Sequence, residues 1–299
     1  MVRNYEEKDL ESIQKLNFML WLGLQWNRTY HKEDAFVAVD ENGTVVGVAA
    51  MFWDGTWYYL EKGNESIPLY RMQLELTIDK ECENEKAIKK ELLQKAKEHF
   101  NHYQKLYPDK KLCLRCWCMA EEKSDMQDLL EEGFDAYGIT IILAYDLTKN
   151  IPERKLSLPI DIGIHNCDDA GIQAYLKANK AGYDGIQDSE DELRFMLSGE
   201  ETKLFTARAQ DQMISSCIIW RVEEGRCATE NVFTIPEYRR QGVGSETLYT
   251  ALRYLKEKGE KLATLTVMGT NHTAIAMYLS MGYELMGNMY EMHYNPVVD

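Results

Sequence analysis

Apolar residues recur along the chain with periods of two and of about 3.6, and the switches between the two periods mark out the elements. Residues 2–4 read as a short strand and residues 6–25 as a helix. AFVAVDENGTVVGVAAMFW then alternates on both sides of Glu41-Asn42-Gly43, a hairpin whose Asn-Gly pair supplies the positive φ angles of a tight turn. LYRMQLELTID alternates as a strand, NEKAIKKELLQKAKEHFNHY carries a helical repeat and KLCLRCWCM is a strand. KSDMQDLLEEG is a helix ending at Gly133, and ITIILAYDL is a strand. At 147–159, LTKNIPERKLSLP, two of the six prolines and several polar residues interrupt the pattern, which predicts a linker over 149–159.

Beyond that break the same order returns. IDIGIHN reads as a strand, DDAGIQAYLKANKAG and DSEDELRFMLSG as helices, and KLFTARAQDQMISSCIIWRV as a hairpin. CATENVFTI is a strand, SETLYTALRYLKEKG a helix, KLATLTVM a strand, NHTAIAMYLSMG a helix and YELMGNMYEMHY a closing strand. Thr77-Ile78 precedes Thr234-Ile235 by 157 positions and Gly133-Phe134 precedes Gly282-Tyr283 by 149, so small loop changes account for the drift of an internal duplication. Neither half alternates strand and helix throughout. The expected class is α+β, each half a mostly antiparallel twisted sheet flanked by helices on both faces, with domains at 1–148 and 160–299.

Composition narrows the partners. The 299 residues carry 34 Lys+Arg against 49 Asp+Glu, a net charge of -15, which opposes binding to a phosphate backbone over most of the surface. A nucleic-acid partner is not expected, whereas an amine-bearing one suits the charge. A hydrophobic share of 45% supports packed cores rather than disorder. No window approaches ~20 uninterrupted apolar residues, and the first residues show no basic stretch followed by an apolar run. A soluble, cytoplasmic protein without a membrane partner is expected, and a homodimer is compatible with it.

Cys113-Leu-Arg-Cys116-Trp-Cys118 raises zinc, but no second pair of ligands follows at compact spacing, so no metal is expected. The stretch reads instead as a strand with Cys116 and Cys118 on one face, acting as small buried hydrophobes. Seven cysteines, an odd number, fit free thiols in a reducing compartment.

The segment 229–246, TENVFTIPEYRRQGVGSE, is the richest in chemistry. A strand runs into Pro236, a short loop carries Arg239-Arg240-Gln241-Gly242-Val243-Gly244, and a helix former sequence begins at Ser245. The glycines let backbone approach a ligand, and unpaired first-turn N–H groups, the helix dipole and two arginines make a pyrophosphate cradle. Later, Asn271, Ala274 and Tyr278 fall on one helical face, setting an amide, a small side chain and a phenol side by side.

With both motifs in this order, residues 160 to about 294 resemble the GNAT superfamily of acyl-CoA-dependent N-acetyltransferases. Arg239-x-x-Gly242-x-Gly244 matches that family's Q/R-x-x-G-x-G/A loop, and Asn271 to Tyr278 its later cofactor-binding helix. The resemblance implies acetyl-CoA as cosubstrate. It implies that the strand before the loop splays from its neighbour and offers the backbone of Val232, Phe233 and Thr234 to the pantetheine arm. The pyrophosphate would rest on the amides of Arg240, Gln241, Gly242, Val243, Gly244 and Ser245. Asn271 would bond the pantetheine or the loop backbone, Ala274 would leave room for the ligand chain, and Tyr278 would lie near the thioester sulfur.

Attack of a neutral amine on a thioester needs a base, an oxyanion donor and an acid for the leaving thiolate. Backbone N–H groups near Val232 can meet the oxyanion. Tyr278 is the candidate acid, or else a core aromatic under the cofactor. Glu230 is the candidate base, or else a surface carboxylate paired with Arg226 or another cation. His272 is a weaker candidate, and Thr264 and Thr266 stand on the following strand where a second acid would be sought.

Laid on the second half with the 157 offset, the first half places Cys82, Glu85 and Ala87 at the motif positions, in a loop whose negative charges repel a pyrophosphate. Positions near Glu121 and at Asp128 or Leu129 replace Asn271 and Tyr278. The first half thus resembles a degenerate copy without the cofactor motif. Its aromatic cluster, residues 52–59, fits either a cation site or an interface hairpin. The acceptor is expected beside residues 181–192, with Tyr183 and Asp184 as substrate-binding residues, although acidic residues there also complement a helix dipole. The expected function is transfer of acetyl from acetyl-CoA to a primary amine of a small molecule by direct attack in a ternary complex. Acylation of a protein or peptide amine, or a non-catalytic acyl-CoA sensor, are the alternatives.

Overall fold

The turn at residues 40–44 forms where expected, but of the Asn-Gly pair only Gly43 takes a positive φ. Gly43 takes φ +81°, its N–H donates to the Asp40 carbonyl (3.2 Å), and the Asp40 side chain accepts from the amides of Asn42 and Thr44. The computed structural model describes residues 1–26, 30–53, 69–165, 167–183 and 188–295. By their contacts these fall into two units, Met1–Ile139 with Met289–Asp299, and Thr140–Asn288.

The first unit contains β1 (Val2–Asn4), α1 (Leu10–Leu16), α2 (Phe18–Trp26), β2 (Tyr30–Val39), β3 (Val45–Trp53) and β4 (Tyr70–Ile78). It continues with α3 (Glu85–Leu106), β5 (Leu112–Met119), α4 (Lys123–Glu131) and the start of β6 (Asp135–Asp146). The expected helix over 6–25 is instead a 3-10 turn, Glu7–Asp9, and two helices parted at Asn17 (φ -153°, ψ 101°). The Asn17 side chain causes the break by accepting from the Leu20 N–H (2.9 Å) and donating to Thr77 Oγ1 (2.9 Å). Alternation along β2 sends Phe36 and Ala38 to one core, under α3, and Ala35 and Val37 to another, under α1 and α2. Cys113, Cys116 and Cys118 are buried and unbridged on β5, as the strand reading requires.

The second unit holds the rest of β6, then β7 (Asp161–Ile164), α5 (Asp169–Gly182), α6 (Glu190–Leu197), β8 (Lys203–Ala209), β9 (Gln212–Glu223) and β10 (Arg226–Thr234). α7 (Val243–Glu257), β11 (Leu262–Met268), α8 (His272–Met281) and β12 (Glu284–Tyr294) follow. Within it β7, β8, β9 and β10 pair antiparallel in turn, β10 runs parallel to β11, and Thr140–Asp146 pair antiparallel with β11. Leu248, Tyr249, Leu252, Leu265 and Tyr278 form a core on one side, and Tyr175, Leu176, Ile218 and Phe233 form another. Each unit is the mostly antiparallel α+β arrangement expected.

Two readings shift. The units divide at 139/140 and 288/289 rather than through 149–159, because Met289–Tyr294 of β12 pair with Leu114–Met119 of β5 and so belong to the first unit. The segment expected as a linker is strapped to α7. Arg253 donates to the Pro152 carbonyl (2.7 Å), Lys256 to those of Thr148 (3.1 Å) and Lys149 (2.6 Å), and the Arg154 N–H to Glu246 (2.9 Å).

Candidate active site

The site is built on the far end of β10. Its ladder with β11 pairs only Arg226–Ala228 with Leu262–Thr264, although the strands continue to Thr234 and Met268. Thr229 Oγ1 reaches the Thr264 carbonyl at 3.3 Å, and past that point the strands part. On the other edge, the register with β9 shifts between Glu230 and Phe233, where Asn231 adopts φ +48°. That is a β-bulge, which bends the strand and turns its edge.

Backbone alternation tells which groups face the gap. The Ile235 N–H donates to the Ile214 carbonyl (2.9 Å), and the Phe233 carbonyl accepts from Ser215 Oγ (2.6 Å), so both point toward β9. Thr234 and Val232 therefore direct their backbone to the opened side. Phe233, expected beside them, faces away: its side chain is buried against Tyr175 and Tyr183.

β10 leads through a 3-10 turn, Pro236–Tyr238, to the glycine loop. Arg240 (φ +60°) and Gly242 (φ +81°) occupy the left-handed region, and Gly242 caps α7 with no side chain on its first amides. The Glu246 N–H is the first to bond back, to the Gly242 carbonyl (2.9 Å), leaving the amides of Val243, Gly244 and Ser245 directed outward. A Cβ on Gly244 would lie 2.7 Å from Thr234 Oγ1, so glycine is what lets the helix start against the open strand. Glu246 is charge-compensated by Arg253 (2.5 Å). Of the two predicted cations, Arg240 is exposed, while Arg239 donates to the carbonyls of Thr234 (2.9 Å) and Gly182 (2.8 Å) and ties the loop to β10 and α5. Gln241 bonds the Glu237 carbonyl (2.9 Å).

Asn271 caps α8 by accepting from the Ala274 N–H (3.2 Å), so its carbonyl is already engaged. Half-buried Ala274 and buried Tyr278 follow on the same helix. Burial pushes the Tyr278 phenol well above its ordinary value, with a smaller push from Cys217. Burial likewise raises the Glu230 carboxyl, against a hydrogen bond from Trp220 that lowers it. The alternative partner for Glu230 is taken, since Arg226 Nε donates to Glu223 (2.7 Å). Tyr183 closes α5. Its phenol is raised, first by loss of solvent around the hydroxyl and then by the charges of Asp188, Tyr278, Cys217 and Glu230, although the residue as a whole is 41% exposed. His272 is exposed, as is Thr266, while Thr264 is buried. Asp184 and residues 54–59 of the aromatic cluster lie outside the described residues. Among the described residues no group of three or more His, Cys, Asp or Glu side chains is placed to hold a metal ion.

Sequence reasoning missed Asp188. Its carboxylate Oδ2 accepts from Asn179 Nδ2 (2.9 Å), Asn231 Nδ2 (3.0 Å) and the Tyr175 hydroxyl (3.1 Å), and burial raises it above the usual carboxylate range. Only the i, i+4 pair Tyr175 and Asn179, two polar groups on one helix face, hinted at a buried acceptor.

The first unit is arranged differently at the matching places. The β3–β4 ladder runs from Gly47–Ile78 to Trp53–Met72 without a shift, and the parallel β4–β5 ladder reaches Leu74–Cys116. α3 starts at Asn84 with φ -111°, behind Asp79, Glu81 and Glu83. Asp128 binds Lys89 (2.9 Å) and Lys86 (3.3 Å).

Residues 172–283 match the model of the acetyltransferase (GNAT) family, a span that contains the bulge, the glycine loop and α8. An uncharacterized N-acetyltransferase of Archaeoglobus fulgidus is 25% identical over 117 residues, 36% of this chain and 78% of its own. Two solved structures share the fold along the whole chain. A GCN5-related N-acetyltransferase from Sphaerobacter thermophilus has TM-score 0.71 and 13% identity, over 100% of this chain and 97% of that one. A tandem GNAT protein from the clavulanic acid biosynthesis pathway has TM-score 0.68 and 12% identity, over 100% of both. A parted strand pair, a bulge and a glycine-capped helix lie inside residues 172–283, the span in which the chain is similar to the acetyltransferase (GNAT) family, and the solved structures share its fold.

Proposed function

We propose that the second unit binds acetyl-CoA and directs its acetyl group to a primary amine of a small molecule, by direct attack in a ternary complex. The observation that carries this reading is the opened edge of β10, which runs into the uncapped amides of α7, with buried Tyr278 and half-buried Glu230 in the same unit. The residues fit the cosubstrate. Val232 and the Thr234 N–H offer backbone groups to an extended arm, as a missing strand would take them, while the Thr234 carbonyl is held by Arg239. The amides of 243–245 and exposed Arg240 fit a pyrophosphate, with Arg239 holding the loop in shape.

Acetyl-CoA supplies the thioester carbon; the chain's own residues handle the protons. Glu230, raised by burial, lies closer to the pKa of an amine than an ordinary carboxylate does, and it takes the ammonium proton directly or through water. Backbone N–H near Val232 meets the oxyanion. Tyr278 stays protonated through neutral pH and donates to the sulfur as negative charge builds there. Tyr183 borders the acceptor. The first unit reads as a copy that kept the fold and lost the cofactor site: no bulge shifts its described β3–β4 ladder, its loop is acidic, and Asp128 is occupied by two lysines.

Thiol release by the full chain, followed across a panel of primary amines with acetyl-CoA, tests transfer; background rates with every amine would overturn it. Calorimetry tests the site, because Gly242→Asp places a charge and a Cβ in the cradle and should abolish acetyl-CoA binding. Unchanged binding by that variant would move the cofactor elsewhere.

A further inference from the structure

The bulge residue is an asparagine held in a conformation that L side chains rarely adopt, and something must hold it there. The Asn231 side chain points to the answer, since its Nδ2 donates to Asp188 Oδ2 at 3.0 Å. The same oxygen collects Tyr175 and Asn179 from α5, and the Asp188 N–H returns to Asn179 Oδ1 at 2.9 Å. The network joins two elements, because Tyr175 and Asn179 are fully buried on the helix while Asn231 sits on the strand. We propose that Asp188 is a positioning residue that latches the β10 bulge to α5, and so fixes the spacing between Glu230 and the open backbone of Val232 and Thr234.

The chemistry favours a carboxylate at this place. One oxygen accepting three hydrogen bonds from neutral donors is well served by a full negative charge, and charge-assisted bonds are about twice as strong as neutral ones. Three donors on one oxygen also fix the carboxylate rigidly, since any rotation breaks several bonds at once. Asn231 is flanked by the proposed base and by the strand residue next to the gap. If the bulge relaxed, the backbone would regain regular alternation, and each side chain beyond it would move toward the opposite face. The latch therefore acts on cofactor geometry without touching the cofactor.

This inference rests on the reading of β10 as the acetyl-CoA edge, so acetyl-CoA binding to the unmodified full chain is measured first by calorimetry. No binding there would sink that reading. With binding in hand, Asp188→Ala leaves three donors, two of them fully buried, without their acceptor and should weaken acetyl-CoA by about tenfold or more. Asp188→Asn keeps one carbonyl oxygen for the same donors and should recover most of that loss. Asn231→Gly keeps the left-handed backbone without needing the side chain and should bind acetyl-CoA within about threefold of the unmodified protein, whereas Asn231→Val, β-branched, should not. Hydrogen exchange at residues 230–234 without ligand should quicken in Asp188→Ala and Asn231→Val and stay slow in Asn231→Gly. Unchanged acetyl-CoA affinity in Asp188→Ala, or Asn231→Gly as damaging as Asn231→Val, would overturn the latch. A rise in acceptor KM in Asp188→Asn with acetyl-CoA affinity intact would overturn it too, making Asp188 an acceptor contact. Should Asp188→Ala fail to fold, the two Asn231 variants decide alone.

Discussion

Replacing Gly244 by alanine sets a methyl carbon 2.7 Å from Thr234 Oγ1, well inside van der Waals contact. Thr234 has little freedom to yield, because its hydroxyl lies 3.0 Å from Ser215 Oγ, itself bonded to the Phe233 carbonyl. One χ1 rotation would put the γ-methyl group in place of the oxygen and keep the clash, and the other would leave the Cβ hydrogen there but break the contact with Ser215. The first turn of α7 must therefore retreat from β10 by several tenths of an ångström, at an overpacking cost of about 1–3 kcal/mol. Alanine's better helix propensity returns up to ~1 kcal/mol, so folding stability falls by about 0–3 kcal/mol. The amides of Val243, Gly244 and Ser245 move with the helix start. Loosening about two hydrogen bonds to a charged phosphate raises the acetyl-CoA Kd roughly 10- to 100-fold. Calorimetry of Gly244→Ala, Thr234→Ala and the double variant supplies the assay. Removing Oγ1 makes room for the new methyl, so the double variant should bind better than Gly244→Ala alone, with a coupling of about 1 kcal/mol or more. Acetyl-CoA affinity in Gly244→Ala within about twofold of the unmodified protein, alongside a lowered melting temperature, would refute the cradle while confirming the clash.

Tyr278→Phe should lower kcat about 10²- to 10⁴-fold with acetyl-CoA affinity nearly kept, and steady-state kinetics showing full transfer with an unchanged pH profile would remove the acid role. Glu230→Gln should abolish the rise of kcat with pH, a limb placed above the ordinary carboxylate range because burial raises this group. Charging a raised carboxyl opposes folding: its contribution is intact below the unfolded-state pKa and is lost as pH rises through the folded value. Glu230→Gln should then melt higher than the unmodified protein at neutral pH, with the gain vanishing in acid. In the first unit, buried Lys89 meets Asp125 (2.6 Å) and Asp128 (2.9 Å), and Lys89→Met should cost roughly 1–3 kcal/mol in urea titration while leaving kcat unchanged. A kcat loss in that variant would contradict a first unit without chemistry.

What the sequence displayed and what it hid follow from the range of the forces involved. Gly43, the strand alternations and the face of α3 that carries Leu92, Ala96 and Phe100 were legible because local geometry decides them. Gly242 and Gly244 were legible as a motif, and the structure gives each a separate reason, a left-handed φ for one and a close approach for the other. Asn17 was not read as a helix break because its partner, Thr77, is sixty residues away. The bonds from Arg239 to the carbonyls of Thr234 and Gly182 were hidden, because no side-chain pattern records a backbone acceptor. The bulge at Asn231 escaped for the same reason. Asparagine tolerates a left-handed φ, but only the convergence of Tyr175, Asn179 and Asp188 reveals why it must adopt one here.

The end strands of the two sequence halves do not stay with the unit that the rest of each half forms. β6 is one uninterrupted strand, yet its residues 140–146 pair with Leu262–Met268 of the site-bearing unit. Leu143 and Tyr145 from that stretch are buried in the same core as Leu265, Tyr278 and Tyr283, and the Tyr145 ring meets Tyr283 edge-on at 5.2 Å. Without these residues β11 would be an open edge along its whole length, and the packing behind Tyr278 would lose two large apolar side chains. The second unit in turn returns Met289–Tyr294 to β5, where Met292 is fully buried. Neither half of the sequence therefore encodes a complete sheet. A mutation that removed the first half of the sequence would therefore remove a strand that pairs with β11, in the unit that carries the glycine loop.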